Sequence, residues 1–366
     1  MMRLYRVAVS ARTDWMVIRL SDAEGHFGWG ECSDAGPPEA VADYLARHGA
    51  DAPARHGDNH PVRHRADAPA RHGAGRPARR DETDGFLATT VQGAIEQARC
   101  DLAARVRGEP LWKWLGGADP GPVPVYANIN RAPGGRSPVE VAGTALAAVR
   151  AGFRRVKLAP FDLPGDSPLA ELGLARVRAV RTAVGPDVEI MVDCHERLPL
   201  AELEPVLAEL AALRLTWLED AAGIDDLTGL RRLRGLVTVR LAGGEFATSA
   251  AQVARTRGLL DVVMPDVKHA GGVRAALDLA RAATGCGAEV SFHNPSGPIA
   301  TAASAHLTGL VPGVLEYMYG EADWRPEVVG GAERVEDGLL HLPTGPGLGL
   351  DLDLAHPRVT PLWSAP

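Results

Sequence analysis

The chain has 366 residues, 46% hydrophobic and 23% charged, with a formal net charge of −7. That is ample material for a core, and an acidic balance without a basic stripe of interleaved aromatics excludes a nucleic-acid surface. A barrel of about 250 residues plus a smaller module would use this length, so two domains are expected. The four cysteines, Cys32, Cys100, Cys194 and Cys286, form no CxxC pair, which sets aside a zinc knuckle and a disulfide framework and fits a reducing cytoplasm. No apolar stretch follows the basic residues of Met1 to Val7, and no run reaches the ~18 apolar residues of a membrane span. A soluble, cytoplasmic protein is expected.

Residues 3 to 31 alternate short apolar runs such as Trp15 to Leu20 with a turn at Asp22-Ala23-Glu24-Gly25, the pattern of a small antiparallel sheet. From Ala46 to Asp84 the composition shifts to Ala, Arg, His, Pro and Asp. The octapeptide ADAPARHG occurs twice there, at 50 to 57 and 66 to 73. Two copies do not build a solenoid. His48, His56, His60, His64 and His72 invite a metal reading, but so much Pro, Gly and charge around them reads as a solvated insertion. Helical spacing resumes over Thr89 to Arg107 and again over Pro110 to Leu115, which stops at Gly116-Gly117.

From Val123 the pattern becomes eight strand-like runs separated by helices. The runs are Val123 to Ile129, Arg155 to Pro160, Val188 to Asp193, Leu215 to Glu219, Val239 to Gly243, Asp261 to Pro265, Glu289 to Phe292 and Val314 to Tyr317. Eight alternating units favour an α/β fold, a closed (β/α)8 barrel of the TIM type. After Arg325 two further β-like pieces, 338 to 342 and 348 to 352, are expected to return to the N-terminal module. The domains read as 1 to 121, a capping module carrying the insertion 46 to 84; 122 to 324, the barrel; and 325 to 366, the return to the cap.

Three acids close successive barrel runs at equal spacing: Asp193, Glu219 and Glu245 each lie 26 residues from the next. Any one of them alone is an ordinary loop acid or helix cap. Together they converge on the barrel mouth, where strand C-termini meet, and three hard oxygen ligands suit a divalent cation such as Mg2+. Other strand ends carry chemistry too. Lys157 at the second strand reads either as a group that holds a substrate carboxylate by charge or as a surface lysine that buries only its stem. Asp266 and His293 end the sixth and seventh strands, so the acid can fix the imidazole and make it a base. His195 follows Asp193 by two residues and faces the same side if strand alternation persists there. Glu316, at the last strand, would hydrogen-bond an oxyanion if it is protonated, and otherwise reads as one half of a loop salt bridge.

With Gly28-Trp29-Gly30-Glu31, Ala94 to Ala98, Leu111 to Gly117 and this set of strand-end groups, the chain resembles the enolase superfamily, in its mandelate racemase subgroup, over nearly its full length. The resemblance implies an α+β cap built from both chain ends and one Mg2+ per subunit, or Mn2+, on Asp193, Glu219 and Glu245. It also implies removal of the proton α to a carboxylate. Asp193-Cys194-His195 and Gly297-Pro298-Ile299-Ala300 resemble galactonate-type dehydratases, in which that histidine protonates the departing hydroxyl. Lys157-Leu158-Ala159 lacks the second lysine of two-base racemases, and Asp220-Ala221 and Phe246 depart from the residues many relatives carry.

The expected activity is therefore a Mg2+-dependent lyase that eliminates water from an acid sugar or related hydroxylated acid. Catalytic residues would be His293, Asp266, His195, Lys157 and Glu316. The expected partners are a small carboxylate substrate and further copies of the chain, with no nucleic acid or membrane. An epimerase or cycloisomerase of the same superfamily is the alternative and needs Lys157 or Lys268 as a second acid or base. A binding protein without turnover is the third reading, and the near-complete set of polar groups opposes it.

Overall fold

A computed structural model describes residues 1–49, 80–162 and 168–365, with side chains described from residue 85 onward in the second segment. His56, His60, His64 and His72 and both octapeptide copies lie outside the described residues. His48 lies inside them, as the last residue of helix α1 (Pro38–His48), where its ring packs on Tyr44 with centroids 4.8 Å apart. Both ends of the segment read as an insertion are thus helical, because α2 (Arg80–Val106) starts nine residues before the apolar period becomes visible at Thr89.

The cap is a four-stranded antiparallel sheet with α1 and α2. Strands β1 (Met2–Ala8), β2 (Asp14–Ser21) and β3 (Phe27–Glu31) follow one another, and β14 (Val359–Ala365) adds to the outer edge of β1 with Met2 opposite Ala365. Gly28 and Gly30 lie on one face of β3, and α2 packs directly on it. A Cβ at Gly30 would overlap the Ala94 carbonyl oxygen, and one at Gly28 that of Ala98. Glycine is what lets strand and helix backbones come so close.

The eight strand-like runs all form strands: β4 (Val123–Asn128), β5 (Arg155–Leu158), β6 (Glu189–Asp193), β7 (Trp217–Glu219), β8 (Leu241–Gly243), β9 (Val262–Val263), β10 (Glu289–Phe292) and β11 (Val314–Met318). Each pairs in parallel with the next, and β11 pairs with β4 over Leu315↔Val125 to Met318↔Asn128, which closes the barrel. Alternation within each strand divides the core. Tyr126, Met191, Trp217, Ala242, Val262 and Met264 fill the barrel interior, while Val125, Ala127, Ile190 and Val192 face the helices. Asp193 and Glu219 lie two residues beyond Met191 and Trp217, so the same parity turns them inward at the mouth.

The stretch after Arg325 divides its pairing. Residues 338 to 342 do not reach the cap: β12 (Arg334–Glu336) and β13 (Leu339–His341) form a hairpin, and β13 pairs antiparallel with the first residues of β4. An apolar strand pairs with whichever edge the preceding chain brings it to, and that edge was a barrel strand. Residues 348 to 352 do reach the cap, as irregular chain. Leu348 N donates to Asp101 of α2, Arg105 donates to the Leu350 carbonyl, and Trp29 Nε1 donates to Asp351. No helix among the described residues is long and apolar enough to cross a membrane.

Candidate active site at the barrel mouth

Lys157 projects from β5 into the interior, fully buried, with Nζ 5.8 Å from the Tyr126 ring. Its Nζ meets Glu219 Oε1 at 2.6 Å, Glu316 Oε1 at 2.8 Å and Asp193 Oδ2 at 3.4 Å. Burial alone would make the ammonium easier to discharge, but these acids outweigh it and hold its pKa well above the ordinary lysine value. Lys157 therefore stands as a fixed cation among the strand-end carboxylates.

The two histidines occupy matching positions on either side of that group. His293 directs Nδ1 to Asp266 Oδ2 at 2.8 Å and Nε2 to Glu245 Oε2 at 2.6 Å. His195 directs Nδ1 to Asp162 Oδ1 at 2.8 Å and Nε2 to Asp193 Oδ2 at 2.9 Å. For both rings burial lowers the pKa, and the facing carboxylates reverse it, leaving each imidazole well above its ordinary value. His195 does not reach Asp193 by strand alternation. Strand β6 ends at Asp193, and His195 and Glu196 have φ of +46° and +49°, so a left-handed turn swings the ring back over its neighbour. Asp162, in the loop after β5, carried no signal in the sequence beyond being one acid in a loop.

Glu316 accepts the backbone N–H of Asn294 at 3.0 Å, and Asn128 Nδ2 at 2.5 Å. Burial pushes its carboxyl up, but Lys157 and His293 overcome this and hold it below the ordinary value. Beside Lys157 it stands as an acceptor in an ion pair, the second of its two readings from the sequence. Asp266 is likewise held ionised against burial by Lys268, His269 and His293.

Glu219, Glu245 and His293 bring ligand atoms within 4.8 Å of one another. Asp193 adjoins them as the register partner of Glu219. Two buried oxygens here, Asp193 Oδ2 and Glu245 Oε2, receive no properly directed hydrogen bond, although His195 and His293 stand within ion-pair distance of them. Burial and the neighbouring acids push Glu219 and the adjacent Asp220 above their ordinary values. Buried carboxylates with unused lone pairs and mutual repulsion are what a divalent cation relieves, so the residues present fit one.

Residues 140–356 match the family described as enolase C-terminal domain-like. D-gluconate dehydratase of Thermoproteus tenax is 33% identical over 274 residues, 72% of this chain, which spans 55% of that protein's length. D-galactonate dehydratase of Ralstonia nicotianae is 28% identical over 385 residues, covering 96% of this chain and 93% of that protein. Among solved structures, a mandelate racemase/muconate lactonizing enzyme from Sulfitobacter sp. superposes with a TM-score of 0.79 at 22% identity, covering 98% of this chain and 94% of the other, a likeness of fold. The family match takes in more than half of the chain and the whole set of strand-end acids, and this chain belongs to the enolase superfamily.

Proposed function

We propose that this protein is a Mg2+-dependent dehydratase of an acid sugar or related hydroxylated acid, a hydro-lyase. The observation that carries the reading is the pair of histidines, each backed by an aspartate and each with Nε2 turned to one of the cation-site acids. Elimination of water needs a base at the α-carbon and an acid at the β-oxygen, and the two imidazoles flank the place where a carboxylate substrate would sit. Relatives named as gluconate, galactonate and mannonate dehydratases support it.

Asp193, Glu219 and Glu245 would hold the cation. When bound, it would supply positive charge to the substrate carboxylate as the α-proton leaves. Lys157, fixed beside Glu219 and Glu316, would add a second positive charge on that carboxylate. His293 Nε2 would take the α-proton, with Asp266 holding Nδ1. His195 would give its Nε2 proton to the departing β-hydroxyl, which leaves as water, and the resulting enol would settle as a 2-keto-3-deoxy acid. Asp162 would orient His195 through Nδ1, as Asp266 orients His293.

The isomerase alternative was to draw its second acid or base from Lys157 or Lys268. Lys157 is occupied by three carboxylates, and Lys268 stands behind Asp266, on the same side as His293. The test is product analysis across hydroxylated acids with Mg2+. Wild type should form a 2-keto-3-deoxy acid, and His195→Gln should exchange the α-proton with deuterated water while releasing little keto acid. Dehydration at the wild-type rate by His195→Gln would remove the residue-level support for a dehydratase.

A further inference from the structure

Lys268 is fully buried and lies two residues beyond Asp266. Its backbone N–H donates to Asp266 Oδ1 at 2.7 Å, and its Nζ donates to Asp266 Oδ2 at 2.7 Å. The latter oxygen also takes His293 Nδ1, at 2.8 Å. One residue therefore grips both carboxylate oxygens and leaves Oδ2 one remaining direction, which the imidazole fills. The terminal torsion of an aspartate is intrinsically broad, so a carboxylate held by a histidine alone can rock and carry the ring with it. Here rocking would break two charge-assisted hydrogen bonds in a dry interior.

The surroundings show that the lysine is built into this place. A buried ammonium is costly unless paired, and besides Asp266 it feels the attraction of Asp34 and Glu31 from the cap. Helix α2 lies directly over its backbone, where a Cβ at Gly93 would overlap the Lys268 carbonyl oxygen. The cap, the lysine and the Asp266 carboxylate are thus stacked in contact behind His293.

We propose that Lys268 is a positioning residue for His293: it locks the Asp266 carboxylate so that the imidazole keeps Nδ1–H on Asp266 and presents Nε2 to the substrate. This rests on the reading of His293 as the base. It differs from simple charge compensation because compensation asks only for a cation nearby, whereas positioning asks that both carboxylate oxygens be held. Loss of an outer partner of a metal-bound histidine typically costs about 10- to 100-fold, and a loss of the same order is expected for a histidine base.

The experiment has two arms on the full-length protein. In the first, 15N-histidine labelling follows the Nδ1–H proton of His293, assigned by its disappearance in His293→Asn. Wild type should show it downfield and slow to exchange with water, and Lys268→Met should speed that exchange by about 10-fold or more. In the second, α-proton exchange is followed in a double-mutant cycle. Lys268→Met should lower kcat by about 10- to 100-fold with KM little changed, yet cost nothing further in an Asp266→Asn background, because it acts through that carboxylate. The double variant removes both buried charges together and so serves as well if Lys268→Met alone fails to fold. An unchanged Nδ1–H signal in Lys268→Met, or a further tenfold loss on adding Lys268→Met to Asp266→Asn, would overturn the proposal. If no hydroxylated acid exchanges its α-proton in the wild type, the catalytic reading fails instead, and the first arm still decides whether Lys268 holds the ring.

Discussion

Glu31 at the end of β3 accepts the backbone N–H of Gly297 at 2.6 Å, and so caps a barrel helix from the other module. The barrel helix Pro298–Leu307 begins after a glycine, which has no side chain with which to cap it. Glu31 supplies the missing acceptor and also takes the N–H of Ala300 at 2.9 Å. The loop it pins begins at His293. Replacing Glu31 by Ala would leave two buried N–H groups without partners, a loss of at least about 2 kcal/mol. Urea unfolding of Glu31→Ala should show it, with Glu31→Gln, which keeps one acceptor oxygen, falling between.

A second prediction concerns His306 and acid. Its Nδ1 accepts from Trp112 N at 3.3 Å and its Nε2 faces the Leu348 carbonyl at 3.3 Å, an arrangement that needs a neutral ring. Burial pushes its pKa from 6.5 down to about 4. Above pH 6.5 neither the folded nor the unfolded chain holds this proton. Between 6.5 and 4 only the unfolded chain takes it up, so stability falls as pH drops through that window, by up to about 3 kcal/mol. His306→Gln should show a shallower decline between pH 7 and 4.5 in denaturant titrations. Parallel declines for both proteins would assign the acid sensitivity elsewhere.

The cation should stabilise as well as activate. Anything bound only by the folded state at 100 times its Kd adds about 2.7 kcal/mol, so Mg2+ should raise the melting temperature and chelation should reverse it. Glu219→Gln and Asp193→Asn remove one ligand charge each and should abolish that rise together with α-proton exchange. A wild-type rate that survives exhaustive chelation would exclude the proposed cation.

Asp162 offers the sharpest test of the proposed acid. It holds Nδ1 of His195 at 2.8 Å and also meets Arg197 at 3.3 Å. Asp162→Asn should lower keto-acid release by roughly 10- to 100-fold, because the ring loses both its orientation and part of the charge that keeps it protonated. α-Proton exchange, which depends on His293, should stay within a few-fold of wild type. Equal losses in the two assays would mean that Asp162 supports the mouth as a whole.

The sequence by itself determined the barrel, because each of its units is a local pattern: a short apolar run and then a helix of period 3.6. Strand parity then carried Asp193 and Glu219 inward with Met191 and Trp217, a consequence of the two-residue repeat that needs no tertiary information. What only the tertiary structure decided is which groups meet. Asp162 reaches His195 across 33 residues, and Glu31 reaches Gly297 across 266. The turn that swings His195 over Asp193 breaks the alternation that would have predicted the same proximity for another reason. Strand β14, with a register shift between Pro361 and Trp363, and the β12–β13 hairpin exist through the strands they found, β1 and β4. Local periodicity sets which way a side chain points along its own element. Partners far apart in the chain are chosen only when closure of the barrel and docking of the cap bring their backbones together, and no local pattern records that step.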